Sequence, residues 1–179
     1  MYSWDPITEN EACTVDGRRL RQALGSFPTG VCLVTTLGPD GKREGMTINS
    51  FASVSLSPPL VLWSVRDTAR SADAFLAARG FALNMLGAQH HELALHFARP
   101  APDKFSHFEN LFMPGLRGMP VLADALVSFE CATFSRHQEG DHAILVGRVE
   151  HFVHCAGAPL AFHAGRLGSL RELAQETGD

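Results

Sequence analysis

Residues 45–55, Gly45-Met46-Thr47-Ile48-Asn49-Ser50-Phe51-Ala52-Ser53-Val54-Ser55, decide how this chain is read. Five short polar side chains, Thr47, Asn49, Ser50, Ser53 and Ser55, fall at nearly every second position. A strand built only for packing favours β-branched and aromatic residues there. Small side chains let a flat ligand approach the backbone, whose N–H groups can then bond it. The same composition also suits the polar outer face of a strand in a turn-rich region, so spacing alone leaves both readings standing.

Outward from this stretch the pattern is one of hairpins. VCLVTTL (31–37) is a β-branched strand, GPDGKR (38–43) a turn, and EGMTINSF (44–51) the returning strand. ASVSLS alternates small polar and apolar residues, Pro58-Pro59 break it, and LVLWSV (60–65) reads as a buried strand. On the N-terminal side, RRLRQALGSF (18–27) predicts a helix with Leu20, Leu24 and Phe27 on one face, stopped by Pro28 and Gly30. Residues 1–17 read as a loose arm and 18–179 as one domain. RDTARSADAFLAARG (66–80) is a turn entering a short helix, and FALNML (81–86) a strand. GAQHHELALHFAR (87–99) is a second helix, apolar at Leu93, Leu95 and Phe97, followed by an irregular Pro- and Gly-rich segment. ALVSFECATFSRH and HAILVGRVEHFVH are long strands joined at Gln138-Glu139-Gly140-Asp141, and PLAFHAGRLGSLREL closes the chain as a short strand and a tail. The expected fold is therefore mainly β with inserted helices, an antiparallel barrel whose closure removes exposed sheet edges.

Composition narrows the classes of function. With 179 residues, 45% hydrophobic and 19% charged, the chain reads as globular and needs no disulfide or metal staple. A net charge of −4 and a pI near 6.1 argue against a broad nucleic-acid or anionic-lipid footprint. The apolar runs PPLVLW and AILVG are too short for a membrane span. The polar start MYSWDPITENEACTVDG lacks the features of a signal peptide. Cys13, Cys32, Cys131 and Cys155 are scattered without a CxxC, which suits reduced thiols in a cytoplasmic protein.

Two further segments carry candidate chemistry. Arg66-Asp67-Thr68-Ala69-Arg70-Ser71 precedes a helix, where free N–H groups and arginines suit a phosphate, although Thr68 or Ser71 would equally serve as an ordinary cap. Gly140-Asp141-His142 sets a histidine beside a carboxylate, which can fix its tautomer, but Gly and Asp are also what a turn requires. Nine histidines raise the question of a metal, yet no H-E-x-x-H or cysteine–histidine framework occurs, and we expect none. No GxSxG and no GxGxxG after a first strand are present. Trp63 and Cys131 read as core residues.

In order, FPTGVCLVTT, GMTINSFASVSLSPPLVLWSV, RDTARSADAF, FALNML, GDHAILVGRV and PLAFHAGRLG resemble the flavin reductase family, from about Leu20 to Leu170. That resemblance implies a Greek-key split β-barrel of the FMN-binding type. It implies NAD(P)H-dependent reduction of FMN or FAD by direct hydride transfer, with reduced flavin supplied to a partner monooxygenase and NADH or NADPH as donor. By resemblance, Thr47, Asn49, Ser50, Ser53, Val54 and Ser55 line the flavin, and Thr68, Arg70 and Ser71 hold its phosphate. Lys104 and Phe105 stand near the pocket mouth, and Phe162 and Arg166 approach from the closing segment. Asp141 and His142 match the element associated with the nicotinamide nucleotide, and a homodimer is expected. Two departures stand out. Leu167 occupies a position where many relatives carry an aromatic, and Asp67 stands where an asparagine is usual. The alternatives are a flavoprotein that retains FMN and passes electrons elsewhere, a flavin-binding module without turnover, and a haem- or metal-binding barrel.

Overall fold

The computed structural model describes residues 15–170. Most of the arm expected over residues 1–17, with Trp4 and Cys13, lies outside them, as does the tail beyond Leu170. The chain opens with helix α1 (Gly17–Gly25), followed by strands β1 (Thr29–Gly30), β2 (Cys32–Leu37), β3 (Arg43–Ile48), β4 (Ala52–Leu56) and β5 (Pro59–Arg66). Helix α2 (Ala72–Ala77), strand β6 (Gly80–Met85) and helix α3 (His91–Ala98) come next. The segment expected to be irregular contains a small hairpin of β7 (Phe112–Pro114) and β8 (Pro120–Leu122). Then β9 (Val127–Glu139) and β10 (His142–His154) form the long hairpin, and β11 (Leu160–His163) and β12 (Arg166–Ser169) a short one.

Seven strands make one antiparallel sheet in the order β3-β2-β6-β9-β10-β5-β4. Its two ends, β3 and β4, are consecutive in the chain and separated by Asn49-Ser50-Phe51 alone. A linker that short forces the sheet to curl until its first and last strands meet. The curl encloses a core drawn from β2, β5, β6, β9 and β10, with Val34, Trp63, Phe81, Cys131 and Leu145 among its members. Trp63 and Cys131 are core residues, as the sequence implies. Burial pushes the Cys32 and Cys131 thiols up to about 12. Gly147 is glycine for a packing reason, since a Cβ there would stand 2.5 Å from the Phe81 ring and 2.8 Å from the Cys131 Cβ. A second cluster, including Leu33, Leu93, Phe97, Phe105 and Leu160, fills the space between the sheet, α3 and the β11–β12 hairpin.

Three expectations change. Helix α1 forms, capped by Asp16 through bonds to the Arg18 and Arg19 amides, but it ends at Gly25 and buries nothing. Its face of Leu20 and Leu24, and Phe27 beyond it, all stand exposed. In α3, Ala94 is buried where Leu95 was expected, and Leu95 is 39% exposed. Positions 93, 95 and 97 cannot share one helical face, because neighbours on a face are three or four apart. The closing segment is a hairpin, not a strand and tail. Its turn places Ala164 (φ 48°) and Gly165 (φ 81°) in the left-handed region, the geometry of a two-residue hairpin turn.

Candidate functional site

The stretch at residues 45–55 becomes the junction where the curled sheet meets itself. Thr47, at the end of β3, donates its hydroxyl to the Ala94 carbonyl at 2.7 Å and so fastens α3 against the strand. Ser50 does something the sequence does not reveal. Extending the Ala52–Leu62 and Ser53–Val61 register by two residues sets position 50 opposite Ser64. There the Ser50 hydroxyl accepts from the Ser64 amide at 3.0 Å and donates to the Ser64 carbonyl at 3.2 Å. A side chain thus takes both ladder bonds where the β4 backbone has left the ladder. Beyond it Ser53 and Val54 are exposed, and Ser55 accepts from the Ser57 amide at 3.2 Å, tightening the turn into β5.

Asn49 is exposed and lines three cavities at once, of about 700, 320 and 310 Å³. Phe162 joins it in the two smaller ones. Leu167 lies directly opposite Phe162 across the hairpin and lines the 320 Å³ cavity, where a ring from position 167 would otherwise reach. The Thr29 hydroxyl, on a wall shared by the largest and smallest of the three, is buried without a partner. Arg166 opens β12 and is exposed.

A second group gathers at the Arg66 end of β5. His142 pairs with Arg66 across the ladder. Its Nδ1 stands 2.7 Å from an Asp141 oxygen, and the other Asp141 oxygen lies 3.3 Å from Arg66. The hydrogen bond to His142, aided by the Arg66 charge, holds the Asp141 carboxyl below its ordinary range. Asp67 pairs with neither arginine: it accepts from Gln138 at 2.8 Å, and its amide donates to the Asp141 carbonyl at 3.1 Å. The unusual carboxylate is thereby tied to the β9–β10 hairpin. Thr68 and Arg70 are exposed in the following loop. Ser71 is buried at the N-cap of α2, yet its side chain makes no capping bond. Lys104 donates to the Gly45 carbonyl at 3.1 Å and the Phe97 carbonyl at 2.9 Å. Desolvation, with the Arg70 charge adding to it against Glu44, lowers its amine. Arg70, expected at the phosphate, and Lys104, expected at the pocket mouth, are therefore close enough to feel each other.

Phe105 is placed differently from the other expected contacts. It is 2% exposed, 5.1 Å from Phe97 and 4.9 Å from Phe112 ring to ring, so it is a core support behind Lys104 and not an open face. Ser53 to Ser55 also stand apart from the Arg66 group, because β4 runs back along β5 toward Pro59. Among the described residues no three His, Cys, Asp or Glu side chains come together as a metal site would need.

Residues 24–171 match the model of the flavin reductase like domain. The chain belongs to this family. By family it is an oxidoreductase that acts on flavin with a reduced nicotinamide, on a split-barrel fold. It is 42% identical over 154 residues to an NADH-dependent FMN reductase of Agrobacterium fabrum, covering 86% of each chain. It is 40% identical to the reductase component of a flavin-dependent trigonelline monooxygenase of Acinetobacter baylyi, covering 83% of this chain but 47% of that one. An NADH:FAD oxidoreductase of Streptomyces globisporus, solved with NAD and FAD fragments, superposes with a TM-score of 0.78 at 38% identity, covering 85% of this chain and 91% of that one. The residues present fit such a flavin. An orphaned hydroxyl at Thr29, the open Asn49, the uncommitted Ser71 hydroxyl and the Arg70–Lys104 pair offer the polar and cationic groups that a ring system and its phosphate require.

Proposed function

We propose that this chain transfers a hydride from NADH to FMN or FAD that diffuses in and out, and that the reduced flavin serves a partner monooxygenase. The observation that carries this is the junction at Asn49–Ser55: short polar side chains, with Asn49 and Ser53 open to solvent, beside the cavities that Asn49 lines. When bound, flavin supplies the hydride-accepting chemistry. The chain's own work is to bind, orient and exclude water.

Backbone amides from Asn49 to Ser55 face the negative charge that develops on a flavin ring, an electrostatic role requiring no nucleophile. Ser71, Arg70 and Lys104 hold the phosphate, and Thr68 completes that loop. Phe162 and Leu167 exclude water from the ring side. His142 positions the nicotinamide nucleotide. Asp141 at its Nδ1 fixes the proton there and leaves Nε2 free to meet the ligand. An open strip is suited to release, whereas a retained flavin would be enclosed. We assign NADH over NADPH because the relatives named for their donor are named for NADH. A reducing cytoplasm suits the free thiols of Cys32, Cys131 and Cys155.

We also propose a homodimer. Leu20, Leu24 and Phe27, with Phe152 and Val153 on β10, leave large apolar side chains exposed that a second copy would cover. The deciding experiment is a steady-state assay crossing NADH and NADPH with FMN, FAD and riboflavin, on protein dialysed first. Colourless protein that oxidises NADH only when flavin is added supports the proposal. Yellow colour that survives dialysis, or flavin binding without NADH oxidation, would refute it.

A further inference from the structure

The 320 Å³ cavity is a cup with three walls. Thr47 and Asn49 come from β3 and its exit, Phe162 and Leu167 from the β11–β12 hairpin, and His91 from the first residue of α3. His91 is the one ionisable side chain among the described residues that line it. The Thr47 hydroxyl is already committed to the Ala94 carbonyl, so it is no free donor to a ligand. The polar groups left to the cup are therefore the Asn49 amide and the His91 imidazole, set among apolar walls. A flat ring carrying one amide group matches that lining, since the walls are mostly apolar and the amide edge offers one acceptor and two donors.

Neighbouring histidines are accounted for otherwise. His90 is buried, accepts from the Gly87 amide at Nδ1 and meets Asp124 with its other nitrogen at 3.0 Å. His96 meets the Lys104 carbonyl at 3.0 Å and stacks on His107 with ring centres 5.6 Å apart. His91 shows no such engagement among the described residues, is exposed, and points no bond into the protein interior.

We propose that His91 is a specificity residue of this reductase: its imidazole N–H donates to the carboxamide oxygen of the nicotinamide, which enters the cup beside the flavin strip. Leu167 leaves room for this by standing where a ring would fill the cup opposite Phe162. The inference rests on the reductase reading above and adds a residue to it.

The test uses full-length protein with His91→Phe, which keeps a flat wall but loses the donor, and His91→Gln, which keeps a donor. Binding of NAD+ and of its thionicotinamide analogue is measured calorimetrically, and KM values for NADH and FMN are measured alongside. The parent protein prefers NAD+ over the sulfur analogue, because sulfur is the weaker acceptor. His91→Phe weakens NAD+ binding about five- to tenfold, the size of one net hydrogen bond, and binds both analogues equally. It leaves the FMN KM within about twofold, and His91→Gln restores the preference for NAD+. If His91→Phe keeps the parent's affinity and its preference for NAD+, the proposal is wrong while the reductase reading stands. If the parent itself does not reduce flavin with NADH, the reading fails and takes the proposal with it.

Discussion

Replacing Ser50 by alanine tests whether the junction is built as the geometry says. The hydroxyl satisfies both the amide and the carbonyl of Ser64, at 3.0 and 3.2 Å. Alanine leaves both backbone groups without a partner. A buried polar group stripped of its bond costs about 1–3 kcal/mol. Ser64 is half-buried, so water recovers part of this, and a net loss of about 1–1.5 kcal/mol is expected. For a domain of this size each kcal/mol moves the midpoint by about 2–4 °C, so Ser50→Ala should melt about 3–5 °C below the parent. Ser50→Thr keeps the hydroxyl and should recover most of that. Calorimetric melting with and without saturating FMN gives a second readout. Because Ser50 sits between Asn49 and the exposed face of β4, loosening it also weakens the flavin's protective shift. A loss in Ser50→Ala under about 1 °C, with the FMN shift intact, would refute the claim that this side chain replaces the missing ladder.

Other outcomes follow from single groups. Ser71→Ala removes a hydroxyl that makes no capping bond, so stability should fall by less than the ~1 kcal/mol typical of a lost cap while the flavin KM rises several-fold. An unchanged KM would return Ser71 to a packing role. The Asp141 carboxyl is held below 3.8 chiefly by the His142 hydrogen bond, so its contribution is present above pH 3.8 and is lost as the pH falls through its lower folded value. NMR titration should show its midpoint rising in His142→Ala, and rising less in Arg66→Ala. Thiols pushed up to about 12 carry almost no thiolate at pH 8, so peptide mapping after iodoacetamide should find Cys32 and Cys131 unmodified and the exposed Cys155 modified. Gly147→Ala places a methyl 2.5 Å from the Phe81 ring and should destabilise by about 1–3 kcal/mol without changing the flavin KM, which melting and steady-state kinetics can separate.

What the sequence reveals here is what depends on local pattern. The strand VCLVTTL, the hairpin turn at Gly140-Asp141 and the buried strand around Trp63 are legible because alternation, turn residues and β-branching are local signals. The β11–β12 hairpin is not legible although Ala164-Gly165 forms its turn, because alanine is a poor sign of positive φ. The exposure of α1 could not be read, since an apolar helical face looks the same whether its partner is the same chain or another one. In the site, the residue types at positions 47–55 and 66–71 stood out, but their division of labour did not. That Thr47 clamps α3, that Ser50 bonds Ser64 and that Phe105 is core are facts of long-range register and packing. His91 carries no sequence signal of its own, being one of nine histidines outside any recognisable framework. A cavity shared with Asn49 and Phe162 is visible only once α3 and the closing hairpin are in place.

The position of the strip follows from how the barrel ends. A sheet with two free edges exposes rows of unpaired amides and carbonyls, which invite pairing with other chains. Here the two edge strands are consecutive in the chain, and a three-residue link pulls them together without joining them by a ladder. Had β3 and β4 paired, the β4 backbone groups that face away from β5 would have been spent on β3. Free on the side away from β5 and carrying mostly short side chains, Phe51 apart, those groups can be reached by a flat molecule. One side chain, Ser50, takes up the ladder bonds that the neighbouring strand needs, so the opening costs β5 nothing at Ser64. With flavin placed there as proposed, the arrangement would also set the affinity. A ligand lying along an open junction would keep one face near solvent, bind with less buried area than in an enclosed cavity and leave readily. On the proposed reading, reduced flavin must reach another enzyme, so weak retention would be the useful property, and it would originate in linking the last two edges by chain and not by hydrogen bonds.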